Sequence, residues 1–452
     1  MSDLHSASRE ELVGIILRQR EELLDLRARL AEVQAEIAAM TEAVRLSKGS
    51  KEPPAWIKPN RPQQEKQKRT PRKQAFVRHR EPPDEVLEHA LERCPDGGRK
   101  LHDGWVHGSR QVIEIPPTTK KVIEHVFIAR YCGICQKRWV PQVSAAELGV
   151  QGKRRFGIGV QSLAAALQGP YRLPLEQIRG LLAEVYGLGI SKGEIVGLLE
   201  GVAQAGEKEV GRLQEAVRGS PVVCGDETGW RQNGRNGWLW TFSTPQVRYF
   251  VYRDTRSGSV PEEVLGQEFR GKFVCDFYAA YNRLLTEIQR CWAHLLRDLH
   301  ARKEKQADHS KVVAWVEAIK QIYQDACAFA SSNPHLRRRK REQLEAQLES
   351  LVFPLARRGE TPQATLAQRM KKHLGELFVF VEHPEVPATN NQAERSLRPA
   401  VIARKISGGT RSEKGSQTQT RLMSLFGTWT LRDYPLLQSC QQLLLTGSPA
   451  GE

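Results

Sequence analysis

The sequence predicts a multi-domain α/β protein, and three observations lead to this prediction. The chain has 452 residues, more than one compact domain usually contains. An apolar repeat with helical spacing occupies its N-terminal part. From residue 221 onward, short apolar runs of strand length are separated by turn residues, and helical patterns follow to the C-terminal end.

The composition favours a polyanionic partner. The chain has 68 Lys and Arg against 52 Asp and Glu, a formal net charge of +16, which attracts either nucleic acid or an acidic membrane surface. No stretch approaches the roughly 20 apolar residues that span a bilayer, and the polar N-terminal residues do not have the pattern of a secretory signal. Eight scattered cysteines are too sparse for a disulfide scaffold. We therefore expect a cytoplasmic protein without a membrane partner.

Residues 10–46 are predicted to form a coiled coil that makes the protein a homo-oligomer. Apolar residues recur at alternating steps of four and three, and only Gln19 breaks the series. The alternative is a single amphipathic helix on a globular core. We favour the coil because the next segment, 47–86, is basic, rich in proline and too poor in aliphatic residues to fold. That segment is predicted to be a disordered linker.

Residues 87–143 are predicted to form a small zinc-finger-like module. Two alternating apolar runs, 111–115 and 121–128, resemble a β-hairpin. Cys132 and Cys135 have the spacing with which a turn aims two thiolates at one zinc ion. Cys94 would be a third ligand, and the fourth would come from one of three histidines: His102, His107 or His125. A hairpin that binds no metal is the alternative.

Residues 155–218 have a helical pattern. Leu175 begins an amphipathic run that ends near Gly187, and Ser191 with Glu194 has the spacing of a capping box, which predicts the start of the next helix. The helix pair is either a DNA-reading helix-turn-helix or an ordinary packing unit.

Carboxylates follow two apolar runs in the strand-rich part of the chain. Asp226 ends the run 221–226, and Asp276 ends the run 271–276, so the sequence predicts two aspartates at strand ends in one sheet. Phosphoryl transfer commonly uses two divalent ions roughly 4 Å apart, and carboxylates are suitable ligands for such ions. Glu227 is excluded because strand alternation directs it to the opposite face.

A third carboxylate of the same kind is Glu394. It lies in the segment 389–399, which has the pattern of a helix start. With Asn391 as N-cap, Glu394 would take the third helical position, where a glutamate often only caps the helix. The sequence of the segment alone leaves both roles open.

Four motifs together resemble the insertion-sequence-66 family of transposases. They are GDETGW at 225–230, VCDFYAAY at 274–281, CWAHL at 291–295 and NNQAERSLRP at 390–399. The resemblance extends over nearly the whole chain and implies metal-dependent cleavage at insertion-sequence ends, followed by transfer of the 3′-hydroxyl into target DNA. It implies that Asp226, Asp276 and Glu394 hold two Mg²⁺ or Mn²⁺ ions. The family usually has two cysteine pairs, and here Gly97 stands where the second cysteine of the first pair would be.

The resemblance also implies an RNase H-like fold with a mixed five-stranded sheet. Residues 219–300 would form its first part, 301–388 a helical insertion, and 389–447 the catalytic helix with a basic C-terminal region. The implied partners are DNA, as element ends and as target, and accessory proteins of the same element; the implied location is the nucleoid of a bacterial cell.

Several residues near these motifs are expected to contact DNA: His294, Arg398, Arg404, Lys405, and also Trp230 and Arg231 as lining of the DNA channel. For each basic residue, a place on a solvated face is the alternative. Two other functions remain open: a catalytically inactive, transposase-derived DNA-binding protein, and a nuclease of the same fold.

Overall fold

A computed structural model of the chain describes residues 82–102, 105–107, 109–113, 118–144, 146–152, 154–357 and 361–449, with Arg80 and scattered positions between 13 and 34. The chain divides into two units, Met1–Ile113 and Glu114–Glu452, which are described separately. The predicted coiled coil (10–46) and linker (47–86) lie almost entirely outside the described residues. Within the described ranges, no helix has both the length and the apolar character needed to cross a membrane.

The first unit contains a tight turn around Cys94. The Cys94 amide donates to the Arg99 carbonyl oxygen at 2.9 Å, and the Cys94 carbonyl oxygen accepts from the Gly98 amide at 2.9 Å. Gly98 has φ of +66°, a left-handed conformation that glycine adopts without strain. The backbone therefore closes a short loop with Cys94 at its start.

The second unit starts with a hairpin that differs from the predicted one. Strands β1 (Arg130–Cys132) and β2 (Lys137–Trp139) pair antiparallel. The described parts of the two alternating runs, 111–113 and 121–128, form no strand. Their apolar side chains are exposed, Val122 by 82%, so the alternation does not correspond to a buried face that would stabilise a sheet. The prediction of a hairpin from these runs is wrong.

Four helices follow, as the periodicity predicts: α1 (Ile158–Gln168), α2 (Leu175–Tyr186), α3 (Lys192–Ala205) and α4 (Glu207–Arg218). Gly187 ends α2 in a left-handed conformation, and Ser191 and Glu194 form the predicted capping box at the start of α3. Leu198 on α3 packs in one core with Trp429 and Leu443 near the C-terminal end. The helical region therefore shares its core with the last helices of the chain.

The expected mixed five-stranded sheet is confirmed. Its strands are β3 (Val222–Gln232), β4 (Arg235–Ser243), β5 (Arg248–Arg253), β6 (Lys272–Cys275) and β7 (Ile288–Arg290). The order across the sheet is β5-β4-β3-β6-β7. Strands β3, β4 and β5 are antiparallel neighbours, whereas β6 pairs parallel with both β3 and β7. One face packs with α4 and with α5 (Ser259–Leu265) through a core that contains Trp240, Phe242 and Phe273.

Between β7 and residue 391 the chain forms a helical subdomain. Its helices are α6 (Trp292–Lys305), α7 (Ser310–Ala328), α8 (Pro334–Ala356), α9 (Pro362–Lys372) and α10 (Val379–Glu382). The family resemblance implies a helical insertion at 301–388, whereas the helices of this subdomain begin earlier in the structure, at Trp292. Trp292 and Leu295 on α6 are buried in its hydrophobic core, so α6 belongs to the insertion as much as to the sheet.

Three helices complete the chain: α11 (Asn391–Ser407), α12 (Glu413–Leu431) and α13 (Leu436–Thr446). Helix α11 covers the second face of the sheet, where Leu397 and Ala400 pack with Trp230 of β3. Gly409 follows α11 with φ of +116°, and a Cβ at this position would lie 2.1 Å from the Arg231 carbonyl oxygen. The glycine thus allows the end of α11 to lie close to β3.

Candidate active site

Asp226 lies in the middle of β3, not at its end as predicted. Beyond Cys224 the strand leaves its parallel pairing with β6 but continues its pairing with β4, where Asp226 is opposite Thr241. The hairpin closes at Asn233 and Gly234, both with positive φ. This Asn-Gly pair is a strong hairpin signal, and the strand prediction did not use it. Asp226 therefore lies where the parallel part of the sheet ends, although its strand goes on.

Gly225, the residue before Asp226, has no room for a side chain. A Cβ at this position would lie 2.2 Å from Cζ of Phe273 on the neighbouring strand β6. The glycine lets the Phe273 ring cross β3 just before Asp226, and this explains in physical terms why glycine precedes the aspartate.

Asp276 directly follows β6, as predicted. Its Oδ1 accepts a hydrogen bond from the Tyr278 amide at 2.8 Å, and its backbone oxygen accepts one from Nη1 of the fully buried Arg290 at 2.8 Å. Cys224 pairs with Val274 in the parallel register of β3 and β6, so each aspartate lies two residues beyond this pair. The strands therefore deliver the two aspartates to the same edge of the parallel region.

Glu394 reaches this region from α11. The helix starts at Asn391, so Asn391 is not the N-cap that the sequence suggested. The preceding residue, Asn390, is fully buried and donates its side-chain amide to the Gly225 carbonyl oxygen at 2.8 Å. Glu394 occupies the fourth helical position, and its Oε1 is buried without a hydrogen-bond partner among the described residues. The capping alternative for Glu394 is therefore wrong.

The three carboxylates interact electrostatically. Burial, and then the charges of Glu227, Asp276 and Glu394, together raise the pKa of Asp226 to about 7. Glu227 lies on the opposite face, as expected, where it pairs with Arg256 (Nε to Oε1, 2.9 Å) and hydrogen-bonds Tyr281. A divalent cation would offset both the burial and the repulsion that raise the Asp226 pKa. The donor set of hard anionic oxygens, one of which has no hydrogen-bond partner among the described residues, fits such an ion.

The three carboxylates do not form one tight group of ligand atoms. Among the described residues, two groups have their ligand atoms within 4.8 Å of one another: Cys291, His294 and Glu394, and separately Glu287, Glu382 and His383. Asp226 and Asp276 are in neither. Glu394 therefore shares a tight group of ligand atoms with Cys291 and His294, and neither aspartate belongs to such a group among the described residues.

His294 lies in the first turn of α6, next to Glu394. Its Nε2 is 3.6 Å from Oε1 of Glu394. A hydrogen bond with Cys291 raises the pKa of the imidazole, although partial burial opposes this. The contact of His294 with DNA phosphate stays a prediction.

The basic residues on α11 differ in their surroundings. Arg398 and Lys405 are exposed. Arg404 is half-buried, and its Nη1 donates to the Gly229 carbonyl oxygen at 2.6 Å and to Thr228 Oγ1 at 3.1 Å. With Trp230, Arg231 and other residues of the β3–β4 hairpin, Arg404 lines an open depression of about 500 Å³. Arg404 is thus fixed only two residues along β3 from Asp226.

The cysteines of the predicted zinc module fall in both units. In the first unit, backbone hydrogen bonds from Gly97 and Asp96 lower the pKa of the Cys94 thiol. In the second, the Cys135 amide donates to Cys132 Sγ at 3.4 Å and lowers the pKa of that thiol. His102, His107 and His125 are exposed. Zinc binding by Cys94, Cys132 and Cys135 stays a prediction.

Comparisons with known proteins identify a family and one distant relative. Residues 154–418 match the family described as "Transposase IS66 family". An "Uncharacterized protein y4jO" from Sinorhizobium fredii is 35% identical over 77 residues, which are 17% of this chain and 24% of that protein. The chain thus matches about a quarter of the length of this relative. The family match includes the positions of all three carboxylates.

Proposed function

Because this chain belongs to the IS66 family of transposases, we propose that it cleaves DNA at the ends of an insertion sequence and joins the freed 3′-hydroxyl to target DNA. One observation supports this most directly. The carboxylates of Asp226, Asp276 and Glu394 come from β3, from the end of β6 and from α11, and the pKa of Asp226 is raised to about 7 by burial, by Glu227 and by the charges of the other two. A buried carboxylate with a strongly raised pKa, near other carboxylates, is characteristic of a functional site, and a cation would stabilise its charged form.

We propose that these three carboxylates are ligands rather than nucleophiles. Bound Mg²⁺ or Mn²⁺ would activate the attacking oxygen and neutralise the charge on the leaving one. Asp226 and Asp276 are fixed by the sheet, whereas Glu394 depends on the position of α11. The Asn390–Gly225 hydrogen bond ties the start of that helix to β3. The same set of ligands would serve hydrolysis by water and attack by the 3′-hydroxyl, since both are in-line displacements at phosphorus.

The proposed DNA path follows the positive side chains near the triad. Arg404 is anchored to Thr228 and Gly229, so it offers a fixed guanidinium close to Asp226. Arg398 and Lys405 are exposed on the same helix, and His294 lies beside Glu394. Arginine and lysine contacts to phosphate would give affinity without reading sequence. A net charge of +16 is consistent with this mode of binding.

The remaining parts of the proposal concern fold and assembly. The strand order and the mixed directions of the sheet support an RNase H-like core, interrupted by the helical subdomain after β7. We further propose that residues 10–46 oligomerise the protein, so that two element ends can be held together, and that it acts on bacterial DNA with accessory proteins of its own element.

A joining assay tests the proposal. The full-length protein is incubated with labelled insertion-sequence ends, plasmid target and Mg²⁺. Joined products support a transposase. Cleavage without joined products would assign a nuclease, and DNA binding without cleavage would assign an inactive DNA-binding protein.

A further inference from the structure

Glu394 belongs to a second group of potential metal ligands, which it shares with Cys291 and His294. We propose that these three residues bind a zinc ion, and that zinc bound there inhibits the enzyme by taking Glu394 away from Asp226 and Asp276. The binding stands on the geometry of the three side chains. The inhibition rests in addition on the proposed function.

The start of α6 places the side chains of Cys291 and His294 on the same side of the helix. Cys291 immediately precedes α6, and His294 is the third residue of the helix. Residues three apart lie on the same side of a helical turn. Two hydrogen bonds hold Cys291. Its backbone amide donates to the Cys275 carbonyl oxygen at 2.8 Å, and its Sγ accepts from the backbone amide of Asn390 at 3.1 Å. The thiol is therefore fixed between β6 and the start of α11.

Glu394 completes the group from a separate helix. The ligand atoms of Cys291, His294 and Glu394 lie within 4.8 Å of one another, and Nε2 of His294 is 3.6 Å from Oε1 of Glu394. A tetrahedral zinc ion with bonds of about 2.0–2.3 Å keeps its ligand atoms about 3.5 Å apart. The histidine–glutamate pair already has this separation, and because no two ligand atoms are more than 4.8 Å apart, the cysteine sulfur needs to approach the other two by about 1.3 Å at most.

The chemistry of the three donors selects zinc over magnesium. Magnesium prefers oxygen ligands and retains water, whereas a thiolate and an imidazole suit zinc. Cys291 is fully buried and His294 is 31% exposed, so the ion would reach the group from the side of the histidine and the glutamate. Three protein ligands leave a fourth position for water, as in open zinc sites.

Cobalt spectroscopy tests the binding without any catalytic readout. Co²⁺ replaces zinc in such sites and gives a thiolate charge-transfer band when a cysteine binds it. The full chain is used with Cys94, Cys132 and Cys135 replaced by serine, which removes the thiols of the predicted zinc module. We expect this band on addition of Co²⁺, and we expect Cys291→Ser to abolish it. The matched control is Cys440→Ser, a thiol equally buried in a different core, which should retain the band.

Two results would overturn the zinc site: no charge-transfer band, or the same band in the Cys291→Ser protein. Thermal melting of each protein checks that it is folded. His294→Ala gives a second route to the same answer, because loss of one of three ligands should weaken Co²⁺ binding at least about tenfold. Unchanged affinity in this variant would equally contradict the assignment.

Zinc inhibition tests the consequence separately. Strand cleavage is measured at fixed Mg²⁺ with increasing Zn²⁺, and each protein is compared with its own rate without zinc. We expect the wild-type rate to fall at least about tenfold and the Cys291→Ser rate to be much less sensitive. Equal sensitivity would refute inhibition through this group. If no protein cleaves DNA under any condition, the proposed function fails, while the cobalt result still decides whether the site exists.

Discussion

Asn390 donates its side-chain amide to the carbonyl oxygen of Gly225 at 2.8 Å, and this hydrogen bond joins the residue before Asp226 to the residue before the helix that contains Glu394. The relationship matters because the two proposed ligands lie 168 positions apart, as the numbers 226 and 394 show. Asn390 and Gly225 are both buried, so the hydrogen bond is shielded from competing water.

Replacing Asn390 with alanine should therefore reduce both activity and stability. The variant leaves the Gly225 carbonyl oxygen without this donor, at a cost of about 1–3 kcal/mol, and frees the start of α11. We expect strand cleavage to fall by more than the lost stability explains, measured on protein that is fully folded at the assay temperature. The exposed neighbour Asn391 provides the matched control: Asn391→Ala should change neither property much. If the Asn390→Ala protein cleaves DNA at the wild-type rate, Glu394 does not need this hydrogen bond to hold its position.

The space at Gly225 leads to a second prediction. Gly225→Ala places a methyl group 2.2 Å from Cζ of Phe273, so β3 and β6 must separate or the ring must move, and overpacking of this kind costs about 1–3 kcal/mol. We expect a lower melting temperature and a loss of cleavage. Gly180→Ala on α2 is the control, because nothing lies within 4 Å of its added Cβ. The double variant Gly225→Ala with Phe273→Leu should recover part of the stability; failure to recover any would point away from the Phe273 contact.

Some of these features can be predicted from the sequence, and others cannot. The position of Asp276 after a short apolar strand, and the capping box at Ser191, depend on local patterns, and both were predicted. The apolar run 221–226 ends at Asp226 and therefore predicts a strand end there, yet pairing with β4 keeps residues 227–232 in the sheet. The buried role of Asn390 depends on a contact with Gly225, which no local pattern contains. The alternating run at 121–128 predicts a strand only if a face is buried, and here none is.

The raised pKa of Asp226 leads to a prediction about pH and metal binding. Because this pKa is about 7, the folded metal-free protein holds a proton at Asp226 between about pH 4 and pH 7 that the unfolded chain does not hold. Its free energy of unfolding should therefore fall as the pH rises through this window. Metal competes with that proton, so Mn²⁺ should raise the melting temperature more at pH 8 than at pH 6. Asp226→Asn should remove most of this difference. An equal metal-induced shift at both pH values would contradict a role for Asp226 as ligand.

A fourth prediction concerns Arg404, whose guanidinium is fixed against β3. Arg404→Ala should weaken binding of nonspecific DNA and reduce the slope of affinity against salt concentration by about one unit, as expected for one lost phosphate contact. Fluorescence anisotropy over a range of salt concentrations measures both. Arg283, which pairs with Glu262 on the surface, is a control whose replacement by alanine should leave the slope unchanged. An unchanged slope in Arg404→Ala would assign this residue a purely structural role.

The most decisive test is Glu394→Gln. The amide preserves the size of the side chain and its hydrogen-bonding capacity, so α11 should still form, but it removes an anionic ligand. We expect almost complete loss of cleavage and joining with DNA binding nearly intact, because binding comes from Lys and Arg contacts to phosphate. Asp226→Asn and Asp276→Asn should have the same effect, and combining the changes should add little, since the three ligands act as one unit.

Glu227 is unsuitable as a control, because it is buried and paired with Arg256. The exposed Glu413 at the start of α12 is better, and Glu413→Gln should retain activity. Normal end joining by a well-folded Glu394→Gln protein would remove Glu394 from the proposed triad.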